Sequence, residues 1–369
     1  MRLLQKECGK CLRHPFLWIV CIAFGLFQFL SIYTYVGNAG MRKELRQMHV
    51  AVTDEETASP EYESAYADYK KTYGRMYDTL DMRKILEQKE KKSGYEPQGV
   101  WGSWIVRNYD RLQKRVEQIR KTGEGTYDFY PGSWYKLHSA LYGKLWKNLI
   151  LQTAVLMILS MLYLMDYERI YKTQDLVLAT TTGKKMMEKK MLAGTLCGLF
   201  YAGLLTVFTL LVFFAAVPFQ NLWHVPVAAC MVAEPRLQMM YPFVTFWRLE
   251  QWRYFLLALV VLVGLLGIIA AVTAAVQLFL QNSYFSFAVL GLLFMGAYLL
   301  AYVQMGNVWD LIREFFNPTV LYATSGGWFM ENDLCLSFAG NEFAVLFCSG
   351  TAAVCLMAVG KRRYHRLEV

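Results

Sequence analysis

The residues best suited to contact chemistry sit in one short polar stretch, 166–192, reading DYERIYKTQDLVLATTTGKKMMEKKML. Glu168, Thr173 and Asp175 lead into an apolar, small-residue run, Leu176, Leu178, Ala179 and Thr180, and Lys184, Lys185, Lys189 and Lys190 follow. Acids near a helix start and lysines near its end complement the helix dipole. A small apolar face held by charge at both ends is a surface for docking, not for making or breaking bonds. The plainer alternative is an interfacial loop whose lysines meet anionic lipid.

Bond-making motifs are missing elsewhere. Gly183-Lys184-Lys185 lacks the preceding glycine and the Ser or Thr after Lys that a phosphate-binding loop needs, so ATP hydrolysis is not expected of this chain. There is no HExxH, no Gly-x-Ser-x-Gly and no Cys/His set at paired zinc spacing. The chain is therefore read as a non-enzyme that needs no cofactor or metal. His14, His49, His138, His224 and His365 are scattered and read as interfacial or surface residues. Cys8-Gly9-Lys10-Cys11 is a single CxxC with neither a βαβ context nor a second pair. Cys335 is expected outside, with only Cys230 as a conceivable partner.

The elements that must position the 166–192 stretch are membrane spans. Of 369 residues, 56% are apolar and 18% charged, where a soluble chain would carry about 25% charged; mean hydropathy is +0.25. Residues 16–36, 147–165, 193–219, 255–280, 284–305 and 343–360 are apolar blocks, against the roughly 20 residues a helix needs to cross the hydrocarbon core. They must be helical, because lipid offers backbone groups no partner. Trp18, Trp146, Tyr163, Trp252, Tyr254 and Tyr302 mark their ends as interfacial aromatics. Basic residues before the first span (Arg2, Lys6, Lys10, Arg13), the lysines of 166–192 and the C-terminal KRRYHR all point to the cytoplasm. An even number of spans satisfies all three, with a tight cytoplasmic turn at 281–283. The net charge of +9 is then an orientation signal, and no basic face with interleaved aromatics suggests nucleic acid. The first apolar run is about 21 residues, longer than the 7 to 15 of a signal-peptide core, so it is read as a retained span. Gln28, Gln152, Gln277 and Gln304 are the polar members of the spans; they are read as interhelical hydrogen-bonders worth about 1 kcal/mol each. The near absence of ionisable groups at membrane depth argues against an ion-coupled carrier.

The expected fold is thus an all-α polytopic membrane protein with about six transmembrane helices and both termini cytoplasmic. Residues 1–36 form an amphipathic lead-in and the first span, 37–145 an extracytoplasmic helical domain, and 146–369 the remaining spans with the segment 166–192. Within 37–145, Tyr62, Tyr66, Tyr69, Tyr73, Tyr77 and Leu80 form one apolar stripe, and Ile105, Tyr109, Leu112, Val116 and Ile119 another. Residues 93–99 break the pattern, which predicts a helical hairpin. The apolar stretch 222–233 is too short to span and reads as interfacial or re-entrant. Phe316-Asn317-Pro318 and Gly326-Gly327 are turn signals in the last outer segment.

The order of residues in 166–192 resembles the cytoplasmic loop of ABC-2-type exporter permeases, E-x-x-x-G-T-x-E-L-L-L-A-T-P-x-x-R. Glu168 and Thr173 align with the first Glu and the Thr, Asp175 with the second acid, and Leu176, Leu178, Ala179 and Thr180 match directly. Lys184 or Lys185 replaces the terminal Arg, and Lys190 resembles the basic residue at the third span. Lys172 stands where Gly is usual and Thr181 where Pro is usual. The resemblance implies that this segment docks on a separate ABC ATPase subunit, that a second permease copy, identical or related, completes the conduit, and that membrane lipid surrounds both. The implied activity is ATP-driven outward movement of an amphipathic, lipid-like, peptide or drug-like substrate in a cell membrane, with separate subunits pointing to a bacterial plasma membrane. The alternative is a non-transporting membrane sensor or scaffold whose outer helical domain binds a ligand or protein.

Overall fold

The computed structural model describes residues 2–42, 45, 64, 67, 71, 76–93, 99–125, 136–173, 183–217, 219, 222–232, 244–303, 309–331 and 338–367. Ten helices carry the architecture: α1 (Arg2–Leu12), α2 (Pro15–Gly37), α3 (Met82–Ser93), α4 (Gly99–Thr122), α5 (Lys136–Met165), α6 (Gly183–Ala216), α7 (Val227–Val232), α8 (Gln251–Leu280), α9 (Ser283–Ala301) and α10 (Asn341–Leu367). Six of them, α2, α5, α6, α8, α9 and α10, are long and apolar enough to cross a membrane, so the chain is an all-α polytopic membrane protein. Among the described residues no strand forms; two isolated antiparallel bridges, Pro226–Glu250 and Thr245–Met330, are the only extended pairings.

The central helix is α5. It packs on α6, α8, α2 and α9, and α8 pairs in turn with α10. Close contact between α5 and α6 rests on Gly194 and Gly198, one helical turn apart. A Cβ at either would lie 3.1 Å from the Cα of Met161 or Met157, so small residues let the two backbones approach. Peripheral α2 buries only the stripe Leu17, Cys21, Gly25, Gln28 and Ile32 and leaves Phe16, Ile19, Ile22 and Leu26 facing outward. The Gln28 amide donates to the Gln152 side-chain oxygen at 2.9 Å, the interhelical bond expected of these residues. Gln304 lies outside the described residues.

The turn between α8 and α9 is as tight as expected. Gln281 ends α8 in the left-handed conformation, and the Asn282 side chain accepts from the backbone N–H groups of Tyr284 and Phe285 at 3.1 and 3.2 Å, an N-cap. By contrast, α6 begins at Gly183, ten residues before the expected span. The lysine cluster is therefore the first three turns of a helix and not a loop.

The described part of 37–145 contains a helical hairpin. The second stripe forms α4 as predicted, with Tyr109, Leu112, Val116 and Ile119 buried. Among the described residues α3 packs against it, and the end of the first stripe, Tyr77 and Leu80, joins the same core. Asp81 stops the preceding turn and caps α3, accepting from the N–H groups of Arg83 and Lys84 at 3.0 and 3.3 Å. Tyr77 is buried beside this hairpin; Tyr62, Tyr66, Tyr69 and Tyr73 lie outside the described residues. In the stretch 222–233, read as interfacial or re-entrant, Val225, Val227, Ala228, Ala229, Cys230 and Met231 are buried within the protein, and Ala228 joins the hairpin core together with Val244. Arg115 on α4 fixes this assembly, donating to Glu124 at 2.6 Å and to the Thr245 carbonyl at 3.0 Å. Arg248 meets the other Glu124 oxygen at 3.0 Å.

Candidate functional site

Where α5 ends, the chain makes one short turn, Tyr167–Ile170. Lys172 then takes a positive φ of 54°, a conformation that glycine adopts at least cost and the position at which the resembled pattern carries glycine. The reversal brings the Thr173 N–H to the Glu168 carbonyl at 2.8 Å, with the Thr173 hydroxyl 3.4 Å from the same oxygen. Glu168 and Thr173, five residues apart, thereby close a hydrogen-bonded loop.

This closure turns the Glu168 side chain inward, where it is 6% exposed. One carboxylate oxygen meets the Lys10 ammonium of α1 at 3.2 Å, and the other pairs with Lys190 of α6. Lys10 also pairs with Glu7 at 2.6 Å and lies 4.4 Å from the centre of the Tyr167 ring. Glu7 and Lys190 are themselves buried. Two carboxylates and two ammonium groups thus form a neutral cluster joining α1, the turn after α5, and α6. Burying any one of these charges alone would be costly, and their pairing is what makes the burial tolerable.

Further contacts tie other elements to the same turn. The Asp166 carboxylate accepts from the Ser283 hydroxyl at 2.8 Å and its N–H at 3.3 Å, at the start of α9. Tyr163, Tyr167 and Tyr171 form a ladder with ring centres 5.7 and 4.5 Å apart, and His14 closes on Tyr163 at 4.2 Å. Lys361 of α10 reaches Glu188 of α6 at 3.4 Å, an exposed pair of little energetic weight. The lead-in, the start of α6, the α8–α9 turn and the end of α10 therefore share one end of the bundle. The basic residues gathered there follow the pattern that the positive-inside rule describes.

Of the residues singled out in the sequence, Glu168, Thr173 and Lys190 are brought together. Lys184 and Lys185 fall in the first turn of α6. Asp175, Leu176, Leu178, Ala179 and Thr180 lie outside the described residues. Sequence reasoning missed Glu7 and Lys10 as members of the cluster. The signal was there: an acid and a base three residues apart on an amphipathic helix just before the first span.

The CxxC also has a neighbour. Cys197 of α6 faces it, its Sγ 3.8 Å from the Cys8 carbonyl. Burial, with the nearby Cys197 thiol, pushes Cys8 up to about 11. Among the described residues no group of three such side chains is arranged to hold a metal ion.

Two expectations at the outer end are corrected. His138 is not a surface residue; it is 2% exposed, its ring 4.6 Å from Tyr142 and 4.9 Å from Tyr254. Trp146 and Tyr254 are not interfacial either, since both are buried in the core. A seven-residue π-helix, Ser139–Leu145, opens α5 beside these residues, closed by the Trp146 N–H bonding to the Leu141 carbonyl. Gly143 within it meets the Gly326 backbone, where a Cβ on Gly326 would lie 3.1 Å from the Gly143 Cα.

No family model, no curated protein and no solved structure matches this chain.

Proposed function

We propose that this chain is the transmembrane permease subunit of an ATP-driven ABC-2-type exporter. A separate ATPase grips the segment 166–192 from the cytoplasm, and a second permease copy, identical or related, completes the conduit. The observation that carries the reading is the Glu168 cluster. It makes the root of the docking segment one rigid piece with α1 and α6, while Asp166 links that piece to α9. A force applied to the segment would then move packed helices as bodies, which is how a nucleotide-driven partner can bias two packed states of a bundle. The substrate class that suits these apolar spans is amphipathic: a lipid-like, peptide or drug-like molecule moved outward, in a plasma membrane of bacterial type.

The test is affinity purification of the tagged full-length chain from its native membrane, with mass spectrometry of what remains bound. The proposal expects an ATPase bearing a phosphate-binding loop, lost on Leu176→Asp/Ala179→Asp or on deletion of 175–185. Recovery of the same partners from wild type and deletion, or of no ATPase from either, favours the alternative of a sensor or scaffold. The well-formed core of the α3–α4 hairpin suits that alternative equally.

A further inference from the structure

The helix α4 spends its two faces differently. Tyr109, Leu112, Val116 and Ile119 are buried against Tyr77, Met82, Ile85, Ala228 and Val244, and Arg115 on that side is committed to Glu124 and Thr245. On the other side Arg107, Arg111, Lys114 and Lys121 are all exposed. Their spacings of four, three and seven place them on one line of the helix, with Gln118 at the intervening position. The line runs about 21 Å along the axis at the helical rise of 1.5 Å per residue.

None of the four is in a salt bridge with a described carboxylate. Two acids flank the line: Asp110, which pairs with Arg83 at 2.8 Å and also faces Lys114, and the part-exposed Glu117; with Arg120 also exposed, positive charge still predominates on this side of α4. Four exposed cations in a row, only partly offset by the two flanking acids, attract anions and favour a partner that presents several negative charges at once.

We propose that this edge of α4 is a binding surface for a linear, phosphate-rich polyanion on the outer side of the membrane. The cations recur about 4.5 to 6 Å apart within the upper part of the line, a spacing that closely set phosphates can match and a lone anion cannot. A bilayer surface is the less suitable occupant. A helix lying on lipid needs a broad apolar face to insert, and Tyr109, Leu112, Val116 and Ile119 of α4 are buried in protein, Val106 being the exposed large hydrophobic residue among the described side chains of this helix. The surface does not depend on the transport reading.

The experiment uses the full-length protein in nanodiscs of neutral lipid, with fluorescent long-chain inorganic polyphosphate as the probe and titrations at several salt concentrations. Wild type is expected to bind with affinity falling steeply with salt, at a log–log slope on the order of 3 for four contacts. The variant Arg107→Gln/Arg111→Gln/Lys114→Gln/Lys121→Gln is expected to bind at least tenfold more weakly with most of that slope lost, and Lys84→Gln/Lys91→Gln, off the line on α3, to bind as wild type. All four positions are exposed, so the thermal unfolding temperature of the quadruple variant should match wild type. If it does not, the single variants Arg111→Gln and Lys114→Gln, each expected to weaken binding, decide the matter. The proposal is overturned if wild type does not bind, if the two multiple variants lose affinity equally, or if the line matters only for nanodiscs or vesicles containing phosphatidylglycerol, which would make it a lipid contact.

Discussion

The Lys190 ammonium and the Glu168 carboxylate form a buried ion pair that fastens the N-terminal end of α6 to the turn leaving α5. Glu168 has a second partner in Lys10 at 3.2 Å, whereas Lys190 relies on Glu168 for its close pairing. Removing the shared member is therefore worse than removing one of the sharers. Glu168→Ala is expected to cost about 3–5 kcal/mol, the range for stranding a buried charge. Lys190→Ala leaves Glu168 paired with Lys10 and is expected to cost less than half as much. Unfolding of the two purified variants in the same detergent, followed side by side, gives the order directly.

Gly194 and Gly198 set the distance between α5 and α6. Replacing Gly198 with Leu would drive side-chain atoms into the Met157 backbone, an overpacking expected to cost about 1–3 kcal/mol. Gly203 on the same helix has open space around its Cα, so Gly203→Leu should leave the unfolding temperature of the protein nearly unchanged. Thermal melts of the two variants should differ clearly.

Arg115 couples the outer hairpin to the segment before α8 through Glu124 and the Thr245 carbonyl. Arg115→Met removes the buried cation and leaves Glu124 with the exposed Arg248 alone. Backbone amides of 244–250 are then expected to exchange with solvent at least tenfold faster, while those of α5 are unaffected. Hydrogen-exchange mass spectrometry reads both in one experiment.

Thiol reactivity follows from burial. Cys230 is pushed up to about 12 by burial and Cys8 to about 11 by burial and the neighbouring Cys197, against 9.0 for an ordinary thiol. At neutral pH both are fully protonated, so a thiolate-directed reagent should modify neither rapidly in the folded protein and both on unfolding. Because the folded values are raised, these thiols favour the folded state below pH 9, and that contribution fades as pH climbs from 9 towards 12. Cys230→Ala should flatten that part of the stability profile measured by denaturant midpoint.

Hydropathy made the six spans legible, because each is a continuous apolar block that only a helix can carry through lipid. The left-handed Gln281 and the capping Asn282 were legible as a turn because the gap between two blocks was too short for anything else. The beginning of α6 was not, since Lys184, Lys185 and Lys189 break the apolar pattern without breaking the helix. The identity of the α3 arm was hidden because its buried residues, Met82 and Ile85, are few among charges. His138, Tyr142, Trp146 and Tyr254 bury one another across α5 and α8, a tertiary contact that leaves no periodic trace in the sequence. In the segment 166–192, the spacing of Glu168 and Thr173 and the basic Lys190 were readable locally. The contributions of Glu7 and Lys10 arise from α1 folding back across α6, which no local pattern reports.

Transport by a partner ATPase requires the turn that leaves α5 to face the cytoplasm. Lys172 is exposed at that turn, which makes Lys172→Cys a reporter of sidedness. In intact cells a membrane-impermeant maleimide applied from outside should fail to add label above the wild-type background, and in inside-out vesicles it should label strongly. Labelling of Lys172→Cys from outside intact cells would contradict the account.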